Sequence, residues 1–186
     1  MKRYNVAIAM DFTEAPFGGV FTNGLRQNNI FLYRMFKASK NCANVWLLNA
    51  GLHDYRFPDG VLGVEPDAIV RFDQIKDDLD FLLVVGTRPG PDQLRYLRER
   101  GCKIVFYKGG NSAILSMEAM TDPEVDKYGE FYFDHDLYDT IWMTPQHIRS
   151  YAGWAKTMYR VDVHEVPQVW DSSFLELQDD TTRGHF

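Results

Sequence analysis

Apolar residues in this chain come in short unbroken runs rather than in alternation. Tyr4 to Asp11 carries Val6-Ala7-Ile8-Ala9-Met10. Val45-Trp46-Leu47-Leu48 precedes Asn49-Ala50-Gly51, and Phe81-Leu82-Leu83-Val84-Val85 precedes Gly86-Thr87-Arg88-Pro89-Gly90. Lys103-Ile104-Val105-Phe106-Tyr107 precedes Gly109-Gly110-Asn111. Thr140-Ile141-Trp142-Met143 is the last such run, and Val161 to Val166, interrupted by Asp162, His164 and Glu165, reads as the last strand. Runs of this length, closed by turn residues, predict strands buried on both faces.

Between the runs the period changes to that of a helix. Thr22 is placed to cap a helix reaching about Ser39, with Leu25, Ile30, Leu32, Met35 and Phe36 on its apolar side. Pro91 opens a helix through Arg100 that Gly101 closes, and Pro145-Gln146 opens another to about Tyr159. A short helix is predicted from Asn111 to Met120. Residues 52–64 and 121–137 read as loops, Ala68 to Phe72 as a short edge strand, and Asp73 to Leu79 as a polar helical turn. Strand, loop and helix alternate throughout. The prediction is α/β: one Rossmann-like, doubly wound, mainly parallel sheet of six or seven strands, with helices on both faces. The domain is expected over residues 1–174, with a polar tail at 175–186. No internal repeat or low-complexity segment is visible.

Composition narrows the function classes. Of 186 residues, 20 are Lys or Arg and 26 are Asp or Glu, a net charge of −6. That balance argues against binding a nucleic-acid backbone. Aromatic residues make up 15% of the chain, enough to fill a core and leave some for a surface. Cys42 and Cys102 are the two cysteines, without metal-ligand spacing, and Cys102 reads as a buried free thiol. The basic start, Met1-Lys2-Arg3, is followed by too short an apolar run for a signal peptide, and no run is long enough for a membrane span. A soluble, cytoplasmic protein is expected.

In a doubly wound sheet, ligands bind beyond the carboxyl ends of the strands. The segments predicted there are Gly18-Gly19 with Asn23 and Gln27; Gly86-Thr87-Arg88; Gly110-Asn111; and Thr144-Pro145-Gln146-His147. Glycine lets backbone approach a ligand, helix starts offer free N–H groups, and Asn and Gln suit hydroxyl-rich ligands. Arg88 suits a phosphate or carboxylate. Neither a G-x-G-x-x-G fingerprint nor a P-loop is present. The five histidines lack i, i+4 pairing, and Asp134-His135-Asp136 weighs more as a solvated loop than as a cation site. No nucleophile elbow occurs. Asp11 and Glu14 are candidate bases that weigh more as loop-capping groups. No metal, no cofactor and no identified catalytic residue are expected.

Several segments, in order, carry a resemblance. Asn23-Gly24-Leu25-Arg26-Gln27-Asn28 with Phe31-Leu32, Val45 to Gly51, Gly101 to Val105 with Gly109 and Asn111, Tyr138-Asp139-Thr140-Ile141-Trp142 with Pro145-Gln146-His147, Tyr159-Arg160, and Val166-Pro167-Gln168-Val169-Trp170 are similar to motifs of a bacterial family of unknown function. That family resembles the GT-B glycosyltransferases. Two departures stand out: Gln168 replaces a usual His, and the loop Phe12–Val20 diverges. The resemblance spans about residues 18–174 and implies the amino-terminal, acceptor-side half of such an enzyme. A whole enzyme would move a sugar from a nucleotide-sugar to a hydroxyl acceptor. Its partners would be those two substrates and a missing carboxy-terminal, donor-binding domain, and this half alone would be inactive. The competing expectation is a non-catalytic Rossmann-like binding or oligomerisation module, with an apolar surface around Tyr151, Trp154 and Trp170. A flavodoxin-like nucleotide-binding protein is the third.

Overall fold

Each apolar run forms a strand whose side chains divide between two cores. The structure, a computed structural model, describes residues 2–10, 24–51, 64–109 and 135–169. The strands are β1 (Tyr4–Met10), β2 (Cys42–Asn49), β3 (Ile69–Val70), β4 (Phe81–Val84), β5 (Lys103–Lys108), β6 (Thr140–Met143) and β7 (Asp162–Glu165). The helices are α1 (Gly24–Ala38), α2 (Phe72–Ile75), α3 (Pro91–Glu99) and α4 (Pro145–Tyr159), with 3-10 turns at Pro66–Ala68 and His135–Leu137. Ala7, Ala9, Leu82, Val84, Ile104, Phe106, Ile141 and Met143 face one core. Val6, Ile8, Met10, Leu83, Val105 and Tyr107 face the other. A strand buried on both faces needs apolar residues at every position, which is why the runs do not alternate.

All seven strands are parallel, in the order β3-β2-β1-β4-β5-β6-β7. The expected doubly wound Rossmann-like sheet is therefore present, with seven strands and no antiparallel pairing between them. From β1 the chain moves outward through β2 to β3, then returns to the other side of β1 and moves outward again. Right-handed crossovers put α1 on one face of the sheet and α3 and α4 on the opposite face. Accordingly α1 contributes Ile30, Leu32 and Tyr33 to one core. Leu94 and Leu97 of α3, with Ala155 and Tyr159 of α4, enter the other. This order also differs from the flavodoxin-like one, 2-1-3-4-5.

Local signals place the helix ends. Pro91 and Pro145 occupy first helical positions, and Gly101, at φ +85°, closes the turn after α3. The Gln93 side chain accepts the Gly90 N–H at 3.0 Å. The amino edge of the sheet is tied by two aspartates. Asp80 accepts the Asn5 N–H at 2.9 Å and pairs with Lys2 at 3.1 Å. Asp139 accepts the Ile104 N–H at 2.9 Å and pairs with Lys103 at 3.0 Å. The Asn5 amide, more than Lys2, holds the Asp80 carboxyl below its ordinary range. Cys42 and Cys102 are buried free thiols, and burial pushes the Cys102 thiol up to about 12.

Candidate functional site at the carboxyl rim

The order of the strands reverses between β1 and β4, so the crevice of this sheet opens beyond their carboxyl ends. The residues that follow β4 turn sharply. Gly86 has φ +83°, a conformation that glycine adopts without strain, and Val85 and Thr87 bridge across it. The turn leaves Gly86 exposed and Thr87 half-buried, and carries Arg88 to 6% exposure. Register carries the same level across the sheet. Val84 stands opposite Phe106, and Lys108 opposite Met143. The turn after β4, the end of β5 and the start of α4 therefore lie side by side.

The buried polar or charged residues among those described are Asn29, Asn49, Arg88, Lys108 and Thr144. All five stand at this rim or one turn from it. Asn29 is in the second turn of α1, and Asn49 ends β2, where its Oδ1 accepts the Gly51 N–H at 3.0 Å. Lys108 ends β5 and reaches back into the core. Its Nζ lies 4.7 Å from the Phe106 ring centroid, 5.0 Å from Tyr159 and 5.9 Å from Trp154. Burial pushes its amine down to about 7.

Thr144 is the N-cap of α4 and is 2% exposed, yet its hydroxyl makes no capping bond. Its carbonyl oxygen instead accepts the His147 N–H at 2.9 Å and the Ile148 N–H at 3.1 Å. Thr144 Oγ1, His147 Nε2 and Asn29 Oδ1 are all buried atoms without a hydrogen-bond partner. The His147 ring meets Tyr151 edge-on at 5.9 Å. Across the rim, Gln168 Nε2 donates to Asn28 Oδ1 at 3.4 Å, joining positions 140 residues apart.

Of the residues expected to bind, Gln27, Gly86, Thr87, Arg88, Thr144, Gln146 and His147 do lie at the carboxyl rim. Gln27 is half-buried in the first turn of α1, and Gln146 is exposed in the first turn of α4. Gly18, Gly19, Asn23, Gly110 and Asn111 fall outside the described residues, as do Thr22, Asp11, Glu14, Asp134 and the helix expected from Asn111. Among the described residues no cluster of three metal-ligating side chains occurs. Sequence reasoning missed Asn29 and Lys108 as buried polar groups. A lysine between an apolar run and two glycines was the available signal for Lys108. Of the expected apolar surface, Tyr151 and Trp154 are half-buried and pack against the core, Trp170 lies outside the described residues, and Met35 is the exposed large apolar side chain among those described.

On the α1 face an apolar cavity of about 520 Å³ opens instead near the amino ends of the strands, among Tyr4, Phe36, Phe81, Val105 and Trp142. It holds none of the buried polar groups. No helix among the described residues is long and apolar enough to cross a membrane.

Fold and rim together define a Rossmann-like α/β protein whose buried polar side chains gather at the carboxyl rim. The chain belongs to a family described as a protein of unknown function, DUF2827, whose model matches residues 8–185. No curated protein and no solved structure matches it.

Proposed function

We propose that this chain is the acceptor-side domain of a GT-B type glycosyltransferase. The complete enzyme moves a sugar from a nucleotide-sugar to a hydroxyl acceptor, and this domain alone is inactive. The observation that carries the reading is the gathering of the buried polar side chains at the carboxyl rim. A hydroxyl-rich ligand needs groups that both donate and accept, and Asn29 and Thr144 supply them from buried positions. The ordered motif resemblance adds support, because two of its segments meet at Gln168 and Asn28. Under this reading Gln27, Thr87, Arg88 and Thr144 orient the acceptor, and a donor-binding domain closes over them.

The test is an amide-resolved NMR screen of the chain against a panel of sugars and nucleotide-sugars. Sugars should shift Gln27, Thr87 and Thr144, while nucleotide-sugars should bind weakly or not at all. The full native product should transfer sugar, and the isolated domain should not. Shifts confined to Tyr4, Phe36, Phe81 and Trp142 would instead favour a second reading. That reading is a non-catalytic interaction module, and the apolar cavity at the amino ends is what favours it.

A further inference from the structure

The start of α4 leaves unused the groups that a helix start ordinarily consumes. Thr144 and His147 stand at the N-cap and third helical positions, the spacing at which two side chains satisfy each other's backbone amides. Here neither side chain does so. The Thr144 carbonyl takes the His147 amide, while Thr144 Oγ1 and His147 Nε2 have no partner. Both groups are three apart and lie on one side of the helix mouth. Pro145 has no N–H, so the first amide at the mouth belongs to Gln146, which has no acceptor within the helix. The helix is 15 residues long, and its dipole puts partial positive charge at this end. A 98%-buried hydroxyl with no partner in a native protein calls for one.

We propose that the mouth of α4 binds a phosphoryl group of the rim ligand, held by the Thr144 hydroxyl, the His147 Nε2–H and the Gln146 amide. Three donors at a helix N-terminus fit the oxygens of a phosphoryl group and match its charge. The inference rests on the rim being the ligand face, and deepens that reading to a phosphorylated ligand. It does not depend on sugar transfer.

The test is a titration of the whole chain with inorganic phosphate, followed by 1H–15N NMR, against sodium chloride at matched ionic strength. Saturable shifts are expected at the Gln146 and His147 amides and at the His147 ring nitrogens. Thr144→Val and His147→Phe should each weaken phosphate about tenfold, the usual effect of losing one charge-assisted hydrogen bond. Both variants should keep the wild-type spectrum elsewhere, since neither removed group bonds to the protein. Absence of saturable shifts, or unchanged affinity in Thr144→Val, would overturn the site. Acetate binding as tightly as phosphate would overturn the phosphoryl assignment. If phosphate binds and no sugar does, the site stands and the glycosyltransferase reading falls. If sugars shift the rim and phosphate is silent, the reverse holds.

Discussion

Lys108 offers the sharpest check on the packing at the rim. Its ammonium group is 1% exposed and caged by the rings of Phe106, Tyr159 and Trp154. Burial takes its pKa from 10.5 to about 7. That drop of about 3.5 corresponds to about 5 kcal/mol at 1.36 kcal/mol per pH unit. The unfolded chain still titrates near 10.5, so between the two values it binds more protons than the folded one. Stability must therefore rise as pH rises through this window, and lie flat in this group's contribution well below 7 and above 10.5. From pH 7.0 to 8.5 the gain from Lys108 alone is about 1.6 kcal/mol, by two-state proton linkage.

Urea unfolding reads this directly. With a denaturant slope of about 2 kcal/mol/M, the wild-type midpoint should move up by about 0.8 M over that range, relative to Lys108→Met. Methionine fills similar space without a charge and removes the titration. The comparison stays below pH 9 because Cys102 acts in the opposite sense. Its pKa is raised from 9.0 to about 12, so above 9 the unfolded thiol ionises first and stability falls. Parallel wild-type and Lys108→Met profiles between pH 7.0 and 8.5 would refute the buried, caged amine.

Three further outcomes are expected. Arg160 ends α4 in the left-handed region at φ +53°, so Arg160→Gly should stabilise the protein by about 1 kcal/mol in thermal melts. Asp139→Ala should destabilise by about 1–3 kcal/mol in urea titrations, because the Ile104 amide loses its acceptor, and the exposed Lys103 partner adds little. Cys102, buried and with its thiol pushed up to about 12, should resist iodoacetamide at pH 8 in the folded protein and react only as fast as the chain opens, as mass spectrometry of quenched samples would show.

The sheet was legible because burial on both faces leaves a direct trace in the chain. Unbroken apolar runs marked the central strands, with β2 beginning earlier than its apolar core, at Cys42, because Ala43 and Asn44 are exposed positions, whereas β7, Asp162-Val163-His164-Glu165, is a mostly exposed edge strand. Pro91, Gly101 and Pro145 fixed helix ends through backbone geometry that no tertiary contact overrides. Half of the site followed from the same logic: once Gly86-Thr87-Arg88 and Thr144 to His147 follow strands, topology puts them at one rim. What could not be read was burial supplied from far along the chain. Lys108 is enclosed by Trp154 and Tyr159 of α4, and Asn28 meets Gln168 after β7. The same long-range packing seats Trp154 and Tyr151 half-buried against the core.

The two ends of the sheet use their polar groups differently, and that difference supports the reading of the carboxyl rim as the ligand face. At the amino edge Asp80 and Asp139 accept strand amides and pair with Lys2 and Lys103, so each carboxylate there has a structural task. The cavity there is lined by the rings of Tyr4, Phe36, Phe81 and Trp142 together with Lys103 and Asp139. At the carboxyl rim Asn29 Oδ1, Thr144 Oγ1 and His147 Nε2 are buried without partners. An unmet buried polar atom costs about 1–3 kcal/mol, and apolar replacements of similar shape would remove that cost without disturbing the fold. A chain shaped by stability alone would carry valine at position 144. Keeping a hydroxyl there, at the start of a helix it does not cap, makes sense when the missing partner arrives with a ligand.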